Sequence, residues 1–102
     1  MTYEHVLTAL ADPTRRGILM ALKGGAQTVS DISADQTVSR PAVSQHLKAL
    51  EAAGLVTVRA EGTRRLYAAR PEGLEALRRW LDQEWAQLLD AYAADVKKKL
   101  GN

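Results

Sequence analysis

The 102-residue sequence predicts a mainly α fold with one small β-hairpin: five helices, with the hairpin lying before a long C-terminal helix. Three observations carry this. Capping residues, two of them followed closely by proline, precede apolar patterns of helical period. Between residues 55 and 69 the pattern becomes β-prone around a glycine-containing tip. From Pro71 a single helical pattern runs to about Leu100.

The first helix is expected from about Thr2 to Ala11, with Val6, Leu7 and Leu10 on one side. Asp12-Pro13 opens the second. Aspartate accepts hydrogen bonds from free amides at the N-cap, and proline suits the first helical position because its missing N–H would be unpaired there. Ile18, Leu19 and Leu22 supply the buried face, and Gly24-Gly25 ends the helix by allowing positive φ. Thr28-Val29-Ser30-Asp31 has the form of a capping box with aspartate in place of glutamate or glutamine, opening a short helix to about Asp35. Gln36-Thr37-Val38 is the connection. Ser39 then caps a helix over 40–53, with Pro41 in its first turn and Gly54 beyond its end. Two helices so closely joined have helix-turn-helix spacing. LVTVRA and RRLYAA, around EGT, form the hairpin over 55–69.

The composition, 46% hydrophobic and 25% charged, is that of a globular protein of one domain, 1–102, without repeats or linkers. No apolar run is long enough to cross a bilayer, and MTYEHVLTAL lacks an export pattern, so the expected location is the cytoplasm, with no membrane partner. The absence of cysteine excludes disulfides, thiolate metal sites and a cysteine nucleophile. Net charge is only +2, but its distribution is uneven. Residues 40–70 hold six basic side chains against two acidic, whereas residues 71–102 hold five against six. Positive charge in the middle third would attract a polyanion; a solvated basic face is the plainer explanation of the same count.

The helix over 40–53 sharpens the choice. At 100° per residue Val43, Leu47 and Leu50 fall in one arc and must be core. Arg40, Pro41, Ser44, Gln45 and Lys48 spread over the opposite side, with no carboxylate among them. Arginine can donate two hydrogen bonds to guanine, glutamine can pair with adenine, and serine is small enough for close approach. Near the N-terminus of a helix in a major groove, such residues reach base edges. The hairpin adds Arg64 and Arg65 directly after its tip, where guanidinium groups would hold phosphates; protection of an exposed strand edge is the alternative role. The two features in series favour a winged helix-turn-helix. The candidate DNA-binding residues are therefore Ser39, Arg40, Pro41, Ser44, Gln45, Lys48, Arg64 and Arg65.

LADPTRRGIL at 10–19, SRPAVSQHLKALEAAGLV at 39–56 and EGTRRLYAARPEGLEAL at 61–77 resemble the bacterial ArsR-type winged-helix repressors. The ending, with Trp80 and Trp85 spaced along the last helix, resembles a subgroup without recognised metal ligands. The resemblance implies a homodimer that binds an inverted-repeat operator in double-stranded DNA and blocks transcription, often of its own operon. It also implies recognition positions at Arg40, Pro41, Ser44 and Gln45, with the wing arginines on the backbone. The sequence departs from the family pattern at Gln36, where members usually have an apolar residue, and at Thr37, where glycine is common.

A dimer also follows from the last helix. Leu74, Leu77, Leu81, Trp85, Leu88, Tyr92 and Val96 fall in about a 100° stripe roughly 33 Å long. The small domain before it can cover only part, and a second copy is the simplest cover for the rest. The expected interface is Val6, Leu10, Leu77, Leu81, Trp85, Leu88 and Tyr92, carried by helices at 1–11 and 72–100 on either side of a DNA-binding core at 12–70. Two reading helices about one DNA turn apart require a near-palindromic operator.

Other functions fit less well. Histidine occurs only at 5 and 46, and the last helix offers Asp82, Glu84, Asp90 and Asp95 without imidazole or thiolate, so no metal or cofactor is expected. Ser44 and His46 point about 200° apart and cannot form a nucleophile–base pair, and no glycine-rich phosphate loop is present, so the chain is not expected to be an enzyme. The remaining alternative is a winged-helix protein-interaction module that ignores DNA. Any small-molecule effector is left unidentified.

Overall fold

The computed structural model describes residues 3–101; the expected helix start at Thr2 lies outside the described residues. Five helices run α1 (Tyr3–Leu10), α2 (Pro13–Ala21), α3 (Val29–Ala34), α4 (Arg40–Ala52) and α5 (Pro71–Leu100), with strands β1 (Val56–Glu61) and β2 (Arg64–Ala69) between the last two. A single 3₁₀ turn, Leu22–Gly24, extends α2, and Gly25 follows at φ +133°.

The helix ends are local chemistry. Asp12 Oδ1 accepts from the amides of Thr14 and Arg15 at 2.8 and 3.2 Å. Thr28 and Asp31 close a reciprocal box: Asp31 N donates to Thr28 Oγ1 and Thr28 N to Asp31 Oδ2, both at 3.2 Å. Ser39 Oγ accepts from Ala42 N at 3.3 Å. At the far end of α4, Gly54 takes φ +77°, its amide donates to Glu51 O, and Leu55 N donates to Leu50 O, a Schellman closure that only glycine enters without strain.

The strands are antiparallel, in register from Val56↔Ala69 to Glu61↔Arg64, around a two-residue turn with Gly62 at φ +64°. Gln27 adds a short third rung: it exchanges backbone hydrogen bonds with Tyr67 at 2.9 and 2.8 Å, while its side-chain amide donates to Ala21 O at 2.7 Å. The base of the wing is thereby tied to the segment that leads into α3.

One core gathers Val6, Ile18, Leu19, Leu22, Ile32, Val43, Leu47, Leu50, Leu55, Val56 and Leu77. The face of α1 differs from expectation. Val6 and Ala9 are buried and Leu10 half-buried, whereas Leu7 is exposed. On a 100° wheel, residues 6, 9 and 10 share an arc that residue 7 leaves. Val6 and Leu77, both expected in a dimer interface, are 1% and 9% exposed and lie inside the protomer's own core. Periodicity identifies a stripe but not where the chain's own cover for it stops.

That limit is visible on α5. Its first ten residues bury Gly73 and Leu77 and half-bury Leu74 and Trp80 against the core. From Leu81 onward every described residue is exposed except the half-buried Val96. A 30-residue helix is about 45 Å long, and its overhang gives the chain extents of 69 × 25 × 21 Å. Among the described residues no helix is long and apolar enough to cross a membrane.

Candidate nucleic-acid interface

α3 and α4 form the helix-turn-helix. Asp35 caps α3 through its amide to Ile32 O and Ser33 O, and Gln36 N donates to Ser33 O at 3.2 Å. The Gln36 side chain lies over Gly17 of α2, its Oε1 3.6 Å from where a Cβ on that glycine would stand. The turn residue that departs from the family pattern thus packs beside α2, at a distance that would leave ordinary contact even for an alanine at position 17.

With Val43, Leu47 and Leu50 in the core, α4 turns Arg40, Pro41, Gln45 and Lys48 to solvent, beside the exposed cap Ser39. Ser44 is half-buried. Among the described residues, no side-chain hydrogen bond or ion pair engages Arg40, Gln45 or Lys48. The face carries donors and a carboxamide that no described residue engages.

On the wing, Arg59 pairs with Glu61 at 3.5 Å, both side chains largely exposed. Arg64 and Arg65 are exposed and, among the described residues, lie within ion-pair distance of no carboxylate. They line a shallow cleft with Thr28, Val29, Ser30 and Thr63, where the wing meets the start of α3. The Asp31 carboxyl is held below its ordinary range, chiefly by the Thr28 amide, then by the Thr28 hydroxyl, with the Arg64 charge adding to both and desolvation opposing them.

One residue of this region has no role that the sequence alone predicts. Arg15 Nε donates to Nδ1 of His46 at 3.3 Å, joining α2 to α4 across 31 positions of sequence. A faint sequence signal exists: at 100° per residue Arg15 shares the arc of Ile18 and Leu22, and a charge on an apolar face requires a partner. Asp12 completes the group. Its carboxyl lies below the ordinary range, mainly through the Arg15 amide and also through the Thr14 amide and the His46 and Arg15 charges, against desolvation.

Away from these faces, Leu81, Trp85, Leu88 and Tyr92 stand exposed along α5, Trp85 at 61% and Tyr92 at 68%. Among the described residues no three His, Cys, Asp or Glu side chains gather as a metal site.

A helix-turn-helix whose second helix bares unpaired hydrogen-bonding groups, followed by a hairpin with arginines at its tip, defines a winged helix-turn-helix DNA-binding domain. Residues 12–58 match the model of the bacterial regulatory protein arsR family. The chain is 53% identical over 90 residues to the HTH-type transcriptional regulator Rv2034 of Mycobacterium tuberculosis, covering 88% of this chain and 84% of that protein. It is 35% identical over 78 residues to the transcriptional repressor SdpR of Bacillus subtilis, covering 76% and 87%. Among solved structures it resembles the homodimeric winged helix-turn-helix DNA-binding domain of Mb0332 from Mycobacterium bovis, a possible ArsR-family transcriptional regulator. The TM-score is 0.65 at 28% identity, covering 94% of this chain and 82% of that one. The chain belongs to the ArsR family: it is a transcriptional regulator with a winged helix-turn-helix DNA-binding domain, not an enzyme.

Proposed function

We propose that two copies of this chain bind a near-palindromic operator and repress transcription from it. The observation that carries the reading is the face of α4, where Arg40, Pro41, Gln45 and Lys48 are exposed and the hydrogen-bonding groups among them unengaged. Arginine and glutamine at the start of such a helix match guanine and adenine edges in a major groove. Ser39 and Ser44 flank them, and Arg64 and Arg65 hold the adjacent backbone or minor groove, fixing register without reading sequence.

Residues 12–70 are the DNA-binding core in this reading, and the helices at 1–11 and 72–100 carry pairing. Leu81, Trp85, Leu88 and Tyr92, with the remaining surface of Leu10, face the same residues of a second copy across a two-fold axis. The bare stripe on α5 supports this, as does similarity to a domain described as homodimeric. Repression is supported by similarity to SdpR, itself named a repressor.

Selection of bound fragments from a random-sequence duplex pool tests DNA binding and symmetry together. Inverted half-sites about 10 base pairs apart centre to centre are expected. A pool without enrichment would leave a protein-interaction module in its place.

A further inference from the structure

The Arg15–His46 bond reaches the reading helix from α2, an element outside the helix-turn-helix. Guanidinium is a donor only, so Nδ1 of His46 receives Arg15 Nε only in the imidazole form that carries its proton on Nε2. Both side chains are part-buried, and Arg15 is anchored at its own backbone by Asp12. Among the described residues no carboxylate lies within ion-pair distance of its guanidinium.

His46 stands one residue after Gln45, on the flank between the buried arc and the exposed face. A bond at that flank adds a directional restraint on rotation of α4 about its axis to the packing of Val43, Leu47 and Leu50 beneath it. Rotation matters to base readout. A 10° turn moves a side-chain tip about 1 Å at the helix's outer radius of roughly 6 Å, beyond the tolerance of a positioned hydrogen bond.

We propose that Arg15 is a positioning residue for sequence recognition: its Nε–H, held by Nδ1 of His46, sets the azimuth of α4 and keeps His46 in one tautomer. The proposal rests on α4 being the reading helix. Arg15 acts through His46 and touches no base.

The test uses the full chain and an operator recovered by selection, and compares affinity for it with affinity for a scrambled duplex. Arg15→Gln keeps an N–H donor on the δ-carbon, where arginine has Nε, without the charge. Arg15→Lys keeps the charge but moves the donor one bond outward, and Arg15→Met removes the donor. Arg15→Gln should hold the operator-to-scrambled ratio within about threefold, while Arg15→Lys and Arg15→Met lose about tenfold or more, the scale of one base contact. Nitrogen-15 spectra of the free protein should show the Nε2–H tautomer of His46 in the wild type and in Arg15→Gln, and a mixture in Arg15→Met. If Arg15→Met fails to fold, the comparison of Gln with Lys decides.

An unchanged ratio in Arg15→Met or Arg15→Lys overturns the proposal, and so does loss in Arg15→Gln equal to theirs. A salt dependence of binding weakened by about one counterion per half-site in Arg15→Gln makes Arg15 a phosphate contact instead. A wild-type chain that enriches no duplex overturns the DNA reading as well, which separates the two failures.

Discussion

Gly73, two residues into α5, lies directly against the carbonyl of Gly54, the residue that closes α4. A Cβ on Gly73 would overlap that oxygen, stand 2.9 Å from the carbonyl carbon and press on Leu55 Cδ2 at 3.4 Å. The opposing group is backbone and is fixed by the Schellman closure, so it cannot move aside. Overlap with unyielding backbone falls at the upper end of overpacking costs, about 2–3 kcal/mol, so after the roughly 1 kcal/mol that alanine gains inside a helix Gly73→Ala should destabilise by about 1–2 kcal/mol. Urea denaturation checks it; a variant as stable as the wild type would show that the two helix ends are not in contact.

The wing arginines should govern salt response. Replacing Arg64 and Arg65 together by alanine should reduce the slope of log affinity against log salt by about 0.9 for each phosphate no longer neutralised, while leaving the order of preferred sequences unchanged. Titrations at three or more salt concentrations measure it. An unaltered slope would move the backbone contacts elsewhere.

Gln45 should behave in the opposite way. Gln45→Ala is expected to relax preference at one base pair per half-site, by about 1–3 kcal/mol, with the salt slope little changed. Repeating the selection with the variant gives the position directly. Uniform weakening across all sequences would remove Gln45 from base readout.

Charge placed on the α5 stripe should separate the copies without unfolding them. Trp85 and Leu88 are 61% and 59% exposed, so Trp85→Glu or Leu88→Glu costs the protomer's own core nothing. Sedimentation should show halved mass, helical content should persist, and operator affinity should fall by about 10²–10⁴ as the second contact ceases to be intramolecular. A variant still paired would place the two-fold interface on another face.

Stability should decline in acid through the helix caps. The folded-state pKa values of Asp12 and Asp31 are depressed, by the Arg15 amide foremost in one and the Thr28 amide in the other. Each cap therefore stabilises the fold above the unfolded carboxylate range and loses that contribution as pH falls through the depressed value. Melting temperatures should drop below about pH 4 in the wild type. The Asp12→Ala, Asp31→Ala double variant should melt lower at neutral pH and show a flatter acid limb; an equally steep limb would assign the pH response to other groups.

The elements legible in the sequence are those whose signals are local. Asp12-Pro13, Thr28 with Asp31, Ser39 with Pro41, Gly54 and the Glu61-Gly62-Thr63 tip each act within a few residues, and the observed boundaries fall within one or two positions of those they predict. Features made by distant residues are not legible. Gln27 pairs with Tyr67 through backbone alone, which no side-chain pattern announces. Gly73 breaks the helical pattern of α5 for a reason that exists only once Gly54 is beside it. A wheel places Val6 and Leu77 with Trp85 as apolar positions, yet the first two belong to the core and the third to water, because the wheel does not know where the globule ends. The outward face of α4 could be drawn from its period; that Arg15 holds its flank required two helices already packed.

Were α5 the pairing element, as proposed, its bare overhang would make abundance itself a signal. A lone copy carries Leu81, Trp85, Leu88 and Tyr92 in water, and pairing would bury them. Assembly is second order: below the concentration at which pairs form readily, halving the supply of chain lowers the amount of paired protein about fourfold. A gene silenced this way would be released abruptly as dividing cells dilute the protein, rather than in proportion to its loss.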